Sequence, residues 1–172
     1  MAKQGRKMDD KLMQTRRETS LKTLYFNRFM LIRYSLAIFF FANFFLAYLC
    51  WPAPTGIAGV GLLIFSILPC WEMGKMYGQK TPEYKLTKLF FILQWVFNLV
   101  VIFMLAMQPT SQVFPFLNDG SDAKVTALVV LVIGFALASW CNYRFYLIDR
   151  NLDKTYRRIE FFESKYRLRL KS

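Results

Sequence analysis

Four apolar runs dominate the chain, at about Tyr34–Trp51, Thr55–Trp71, Leu86–Met107 and Val125–Tyr143. Each is close to the ~20 residues that a bilayer-crossing helix needs. Polar residues collect before the first run, after the last, and in the connection between the second and third. The pattern predicts an all-α membrane protein: four transmembrane helices with N- and C-terminal cytoplasmic helical extensions. Its divisions are a basic, partly helical segment over 1–33, a four-span bundle over 34–143, and a basic amphipathic helix over 144–172 that continues span four.

The connections refine this plan. Residues 1–8 are basic and read as disordered, whereas Asp9 and Asp10 suit a helix N-terminus, where carboxylates meet free amides and the positive dipole end. A stripe of Leu12, Leu21, Leu24, Tyr25, Phe29 and Ile32 follows, with a break expected near Asn27–Arg33. The turn from Trp51 to Gly56 contains Pro52 and Pro54 and makes the first two spans antiparallel neighbours. Gly56, Ala58, Gly59 and Gly61 open span two and permit close backbone approach. Gly74 and Gly78 read as breakers, and Thr81 with Pro82 as the next helix start. In the 108–124 connection, Val113, Phe114, Phe116 and Leu117 are available to cover the bundle or enter the interface.

No Pro or Gly interrupts the chain from Phe135 to its end, so span four is expected to run on as one helix for about twenty-five residues. Asp153 with Arg157, and Glu163 with Arg167, stand four apart with the acid first, which supports a helix. Ile148, Leu152, Ile159, Phe162 and Tyr166 form the stripe expected to dock on the N-terminal segment, a second copy or another protein.

Charge orients the plan. Of 23 Lys and Arg residues, nine precede span one, four lie between Lys75 and Lys88, and nine follow Tyr143; only Lys124 falls on the other side. Basic loops are retained in the cytoplasm, so a multi-pass protein of the cell membrane with both termini cytoplasmic is expected. The net charge of +12 is then read as contact with anionic lipid headgroups, through Arg28, Arg33, Lys88 and Arg144, and not as a nucleic-acid interface. Cys50 lies at the outer end of its span and Cys70 and Cys141 near the inner ends of theirs, so no disulfide is expected and all three read as apolar packing residues.

Candidate chemistry is sparse. The chain has no His, the commonest metal ligand and proton shuttle, and no cofactor is expected. No Asp, Glu, Lys or Arg lies deep in a span, where transporters and pumps mark their ion path. Glu72 and Glu83 read as solvated partners of Lys75 and Lys85. Within the spans, Asn43, Ser66, Gln94 and Asn98 fall near one depth at ~1.5 Å per residue. They read as an interhelical hydrogen-bond layer, with a small polar pathway as the alternative.

The stretch Phe26-Asn-Arg-Phe-Met-Leu-Ile-Arg-Tyr-Ser-Leu-Ala-Ile-Phe-Phe-Phe-Ala-Asn43, after the opening Asp9-Asp-Lys-Leu-Met-Gln-Thr-Arg16, resembles small four-span membrane proteins of low-GC Gram-positive bacteria. Some of these carry the label of a sugar phosphotransferase (cellobiose) IIC component. The resemblance covers the N-terminal quarter and the span plan. The chain departs from a sugar-translocating component in its shortness and in lacking acidic sugar ligands within its spans, so no functional residue is carried over. Two functions stand in competition. The first is a non-enzymatic accessory, scaffold or regulatory subunit acting through helix–helix contacts. The second is a small homo-oligomeric channel, flippase or transporter component using the polar layer.

Overall fold

The structure is a computed structural model in which residues 2–75 and 83–170 are described. All of the regular structure among those residues is helical: α1 Ala2–Arg28, α2 Met30–Leu49, α3 Pro54–Lys75, α4 Lys85–Met107, α5 Thr110–Val113, α6 Ser121–Asp149 and α7 Lys154–Leu170. Four of these, α2, α3, α4 and α6, are long and apolar enough to cross a membrane. Thr81, Pro82 and Gly78 lie outside the described residues. Gly74 is no breaker, since it lies within the last turn of α3.

Local chemistry sets the helix ends. α2 stops before Pro52, and Pro54 opens α3 at the position where its missing N–H costs nothing. α4 ends at Met107, followed by Gln108 in extended conformation before Pro109, as the residue ahead of a proline prefers. Asp122 lies in the first turn of α6, on the favourable side of the helix dipole. α1 begins at Ala2, so the first eight residues are not a disordered lead-in and Asp9 and Asp10 fall inside the helix. Lys3, Gln4, Arg6, Lys7 and Met8 are good helix formers, and Gly5 alone does not offset them.

The four long helices pack in chain order, α2 on α3, α3 on α4 and α4 on α6, with α6 also meeting α2. Gly59 lets α3 approach closely: a Cβ there would lie 3.1 Å from the backbone nitrogen of Ala47 on α2. Gly61 faces open space and makes no such approach. Two apolar cores fill the bundle. One lies toward the end carrying both termini and contains Ile32, Leu36, Phe39, Phe90, Phe91 and Phe145. The other, toward the far end, contains Cys50, Val101, Leu105, Val113, Phe114 and Ala127. Val113 and Phe114 thus cover the bundle, while Phe116 is exposed. Cys50 and Cys141 are buried packing residues, but Cys70 is exposed on the bundle surface.

The largest departure from expectation is at the end of α6. Instead of one continuous helix, the chain turns at Arg150–Asp153 and restarts as α7. Asn151 adopts φ 53°, in the left-handed region. Its N–H bonds to the Ile148 carbonyl at 3.1 Å and that of Leu152 to the Leu147 carbonyl at 3.0 Å, the pair of bonds that closes a helix C-terminus in a Schellman turn. Asp153 then starts α7, its carboxylate accepting from the Tyr156 N–H at 3.3 Å.

Candidate functional site

The turn between α6 and α7 exists together with a partner from the other terminus. At the last residue of α1, the Arg28 Nη2 donates to the Asp153 Oδ1 at 2.7 Å and its Nε to Oδ2 at 3.1 Å, a two-pronged ion pair. Nη2 also reaches the Ile148 carbonyl at 3.1 Å and the Asn151 Oδ1 at 3.0 Å. The guanidinium lies 5.2 Å from the centre of the Tyr156 ring. Arg28 is 7% exposed and Asp153 1%. A buried charge left alone would be costly; here each has its counter-charge and several further hydrogen bonds. Arg28 is therefore not a headgroup contact. Its side chain is drawn inward by the acid that caps α7.

This clamp folds α7 back against α1, and Ile159 is buried on the folded hairpin. Of the residues expected to form a docking stripe, Ile148 is in the bundle core with Phe29 and Phe145, and Ile159 is covered by the chain itself. Leu152 is exposed in the turn. The side chains of Phe162 and Tyr166 lie outside the described residues. The N-terminal segment, one of the three occupants the stripe allows, is the one α7 packs against. The stripe splits because the turn rotates Leu152 away from the face that α7 presents.

Two acids tie the bundle to its neighbouring helix ends. Asp149 accepts from the Tyr84 hydroxyl and from the Lys88 Nζ, both at 2.6 Å. Lys88 is thus ion-paired as well as exposed. Burial pushes the Tyr84 hydroxyl well above its ordinary range, and donation to the Asp149 carboxylate adds to the effect. Burial acts to raise Asp149, but the bonds from Lys88 and Tyr84 outweigh it and hold the carboxyl below its usual value. Glu72 is not a solvated partner of Lys75. Its Oε2 accepts from the Thr87 N–H at 2.7 Å and hydroxyl at 2.6 Å, and its Oε1 from the Leu86 N–H at 3.2 Å. A carboxylate from the end of α3 therefore satisfies the orphan amides at the start of α4. Lys75 instead lies 5.0 Å from the Trp71 ring centre.

The mid-span polar residues sit between the two apolar cores along α2 and α4. Asn43 Nδ2 donates to Gln94 Oε1 at 2.9 Å, joining α2 to α4. Ser66 does not join them: its hydroxyl bonds the Leu63 carbonyl of its own helix at 2.5 Å. Asn98 faces Gly134 on α6, where a Cβ would stand 3.2 Å from its Nδ2, and that nitrogen has no acceptor among the described residues. A further link escaped the sequence reading: Trp95 Nε1 donates to Ser139 Oγ at 2.8 Å, joining α4 to α6. The one signal in the sequence was that Ser139 is the lone Ser of the fourth run. Arg144 is half-buried at the terminal end of α6.

The described residues contain no cluster of three metal-ligating side chains. No family model, curated protein or solved structure matches the chain.

Proposed function

We propose that the chain is a multi-pass protein of the cell membrane with both termini cytoplasmic, serving without catalysis of its own as an accessory or scaffold subunit. Four membrane-length helices and the one-sided distribution of basic residues support the placement. The observation that carries the role is the α1–α7 hairpin fixed to the bundle by the buried Arg28–Asp153 pair. A pair of cytoplasmic helices held by an internal ion pair is a pre-organised surface, and pre-organisation lowers the entropy lost on association. The hairpin presents Leu12 and Met13 as exposed apolar residues near exposed Arg16, with Arg157 and Arg158 exposed on α7. That composition suits a protein partner with an apolar contact rimmed by acids.

The test is purification of the full chain in mild detergent, with mass spectrometry of what accompanies it. A second protein at fixed stoichiometry, lost from Asp153→Ala while the bundle remains folded, is the expected result. A clean homo-oligomer indifferent to Asp153→Ala would overturn the accessory role in favour of a channel. Reporter fusions at Ser172 and within residues 108–124 should give opposite signals, the first cytoplasmic.

A further inference from the structure

Between the terminal ends of α2 and α3 runs a groove of about 390 Å³, within the range of ligand pockets. Leu36, Ala37, Cys70, Met73 and Gly74 line it, and Phe26 and Arg33 close one end. Arg33 is stacked on Phe26, its guanidinium carbon 3.9 Å from the ring centre, which fixes the plane of its donors. Its one hydrogen bond among the described residues is from Nη2 to the Met73 carbonyl, long at 3.4 Å. Its Nε is buried and has no acceptor among the described residues. Unlike Arg28, Arg33 forms no ion pair among the described residues. A guanidinium stays charged at any physiological pH, so Arg33 brings to the groove a full positive charge with no counter-charge among the described residues.

We propose that this groove is a binding site for one anionic phospholipid, its phosphate on the Arg33 guanidinium and an acyl chain along Leu36, Ala37, Cys70 and Met73. Three observations converge on that occupant. The groove is apolar along its length and cationic at one end, the polarity of an anionic lipid. The cation lies at the basic end of the bundle, flanked by exposed Tyr34 and Trp71, residue types that mark the headgroup level. A planar guanidinium matches two phosphate oxygens at once, which a single neutral carbonyl cannot do. The site does not depend on the accessory role, since it lies in the span region and not on the α1–α7 hairpin.

The experiment is native mass spectrometry of the full chain released from mixed vesicles of phosphatidylglycerol and phosphatidylcholine with identical acyl chains. The parent should retain one phosphatidylglycerol about fivefold over phosphatidylcholine, the ratio that ~1 kcal/mol per interfacial cation gives. Arg33→Gln should bring the ratio near parity. Ala37→Phe leaves the charge and fills the groove, so it should lose the retained lipid. Ala37 is exposed, and this variant carries the test if Arg33→Gln does not fold. Arg150→Gln, at an exposed cation just past the end of α6, should keep the parent ratio. Parity in the parent, or a preference surviving Arg33→Gln or Ala37→Phe, would overturn the proposal. Displacement of the lipid by millimolar inorganic phosphate would also overturn it, assigning the guanidinium to a free anion.

Discussion

Arg28 and Asp153 are 125 residues apart in the chain and 2.7 Å apart in the fold, and both are nearly excluded from solvent. Arg28 ends the first helix and Asp153 begins the last, so one ion pair sets where both terminal segments meet the bundle. The same carboxylate caps α7, and the same guanidinium holds the carbonyl and amide of the turn before it. Helix ending, helix starting and the joining of the termini are thus one arrangement.

Removing one partner strands the other. Asp153→Ala should cost ~3–5 kcal/mol, the range for an uncompensated buried charge, with the loss of the α7 cap included. Arg28→Met combined with Asp153→Leu should recover a large part of that, because neither charge then remains buried. Protease cleavage within α1 and α7, followed with thermal melting, reports both effects. A double variant as unstable as Asp153→Ala would show that the pair does not act through charge burial.

Asn151 makes a separate prediction about the turn. Its φ of 53° is open to Gly and Asn but strained for a β-branched residue. Asn151→Val should cost about 1–2 kcal/mol and favour straightening α6 into α7. Asn151→Gly should fit the backbone and lose only the Arg28 contact. Hydrogen exchange at the Leu152 amide, bonded to the Leu147 carbonyl, reads the difference; equal exchange in the two variants would count against the turn.

These residues also mark how far the sequence could be read. The four long apolar helices and their order were legible because continuous apolar runs are a one-dimensional signal, and the helices end within a few residues of those runs. The break after Asp149 was not, because continuity was judged by the absence of Pro and Gly. Asn151 followed by Asp153 carries the same information: a residue tolerant of left-handed backbone, then a capping acid. The roles of Arg28 and Glu72 were illegible for another reason. Each is fixed by a partner on a distant helix, so basic and acidic residues beside spans looked like ordinary interface charge. For the polar layer, depth was readable but facing was not: Asn43 and Gln94 meet, while Ser66 turns back on its own helix.

Tyr84 and Asp149 give the bundle a pH signature. Tyr84 titrates above its ordinary value of 10.0 when folded, so its contribution is full below that value and is lost as pH rises through and beyond it. Asp149 titrates below its ordinary 3.8, so its contribution is full above that value and is lost as pH falls through its folded value. The melting-temperature gap between the parent and Tyr84→Phe should therefore be widest from about pH 5 to 9 and narrow at alkaline pH. A gap that stayed constant well above pH 10 would show that the Tyr84–Asp149 bond does not form.

The polar layer separates packing from passage by a ranking of two variants. Asn43→Ala breaks an existing bond across α2 and α4 and leaves the Gln94 carbonyl oxygen buried without its donor. It should weaken the bundle by about 1 kcal/mol, the scale of interhelical hydrogen bonds in membranes. Asn98→Ala removes a buried nitrogen that has no acceptor among the described residues, so it should cost less than Asn43→Ala or nothing. Gly134→Ala places a methyl carbon 3.2 Å from that nitrogen and should be relieved by Asn98→Ala in the double variant. Unfolding in mixed micelles gives all four stabilities. If Asn98→Ala proved the more damaging, Asn98 would have a partner that this arrangement of α4 and α6 does not supply. Solute flux into liposomes that vanished with Asn98→Ala, at unchanged stability, would turn the layer from a packing device into a pathway.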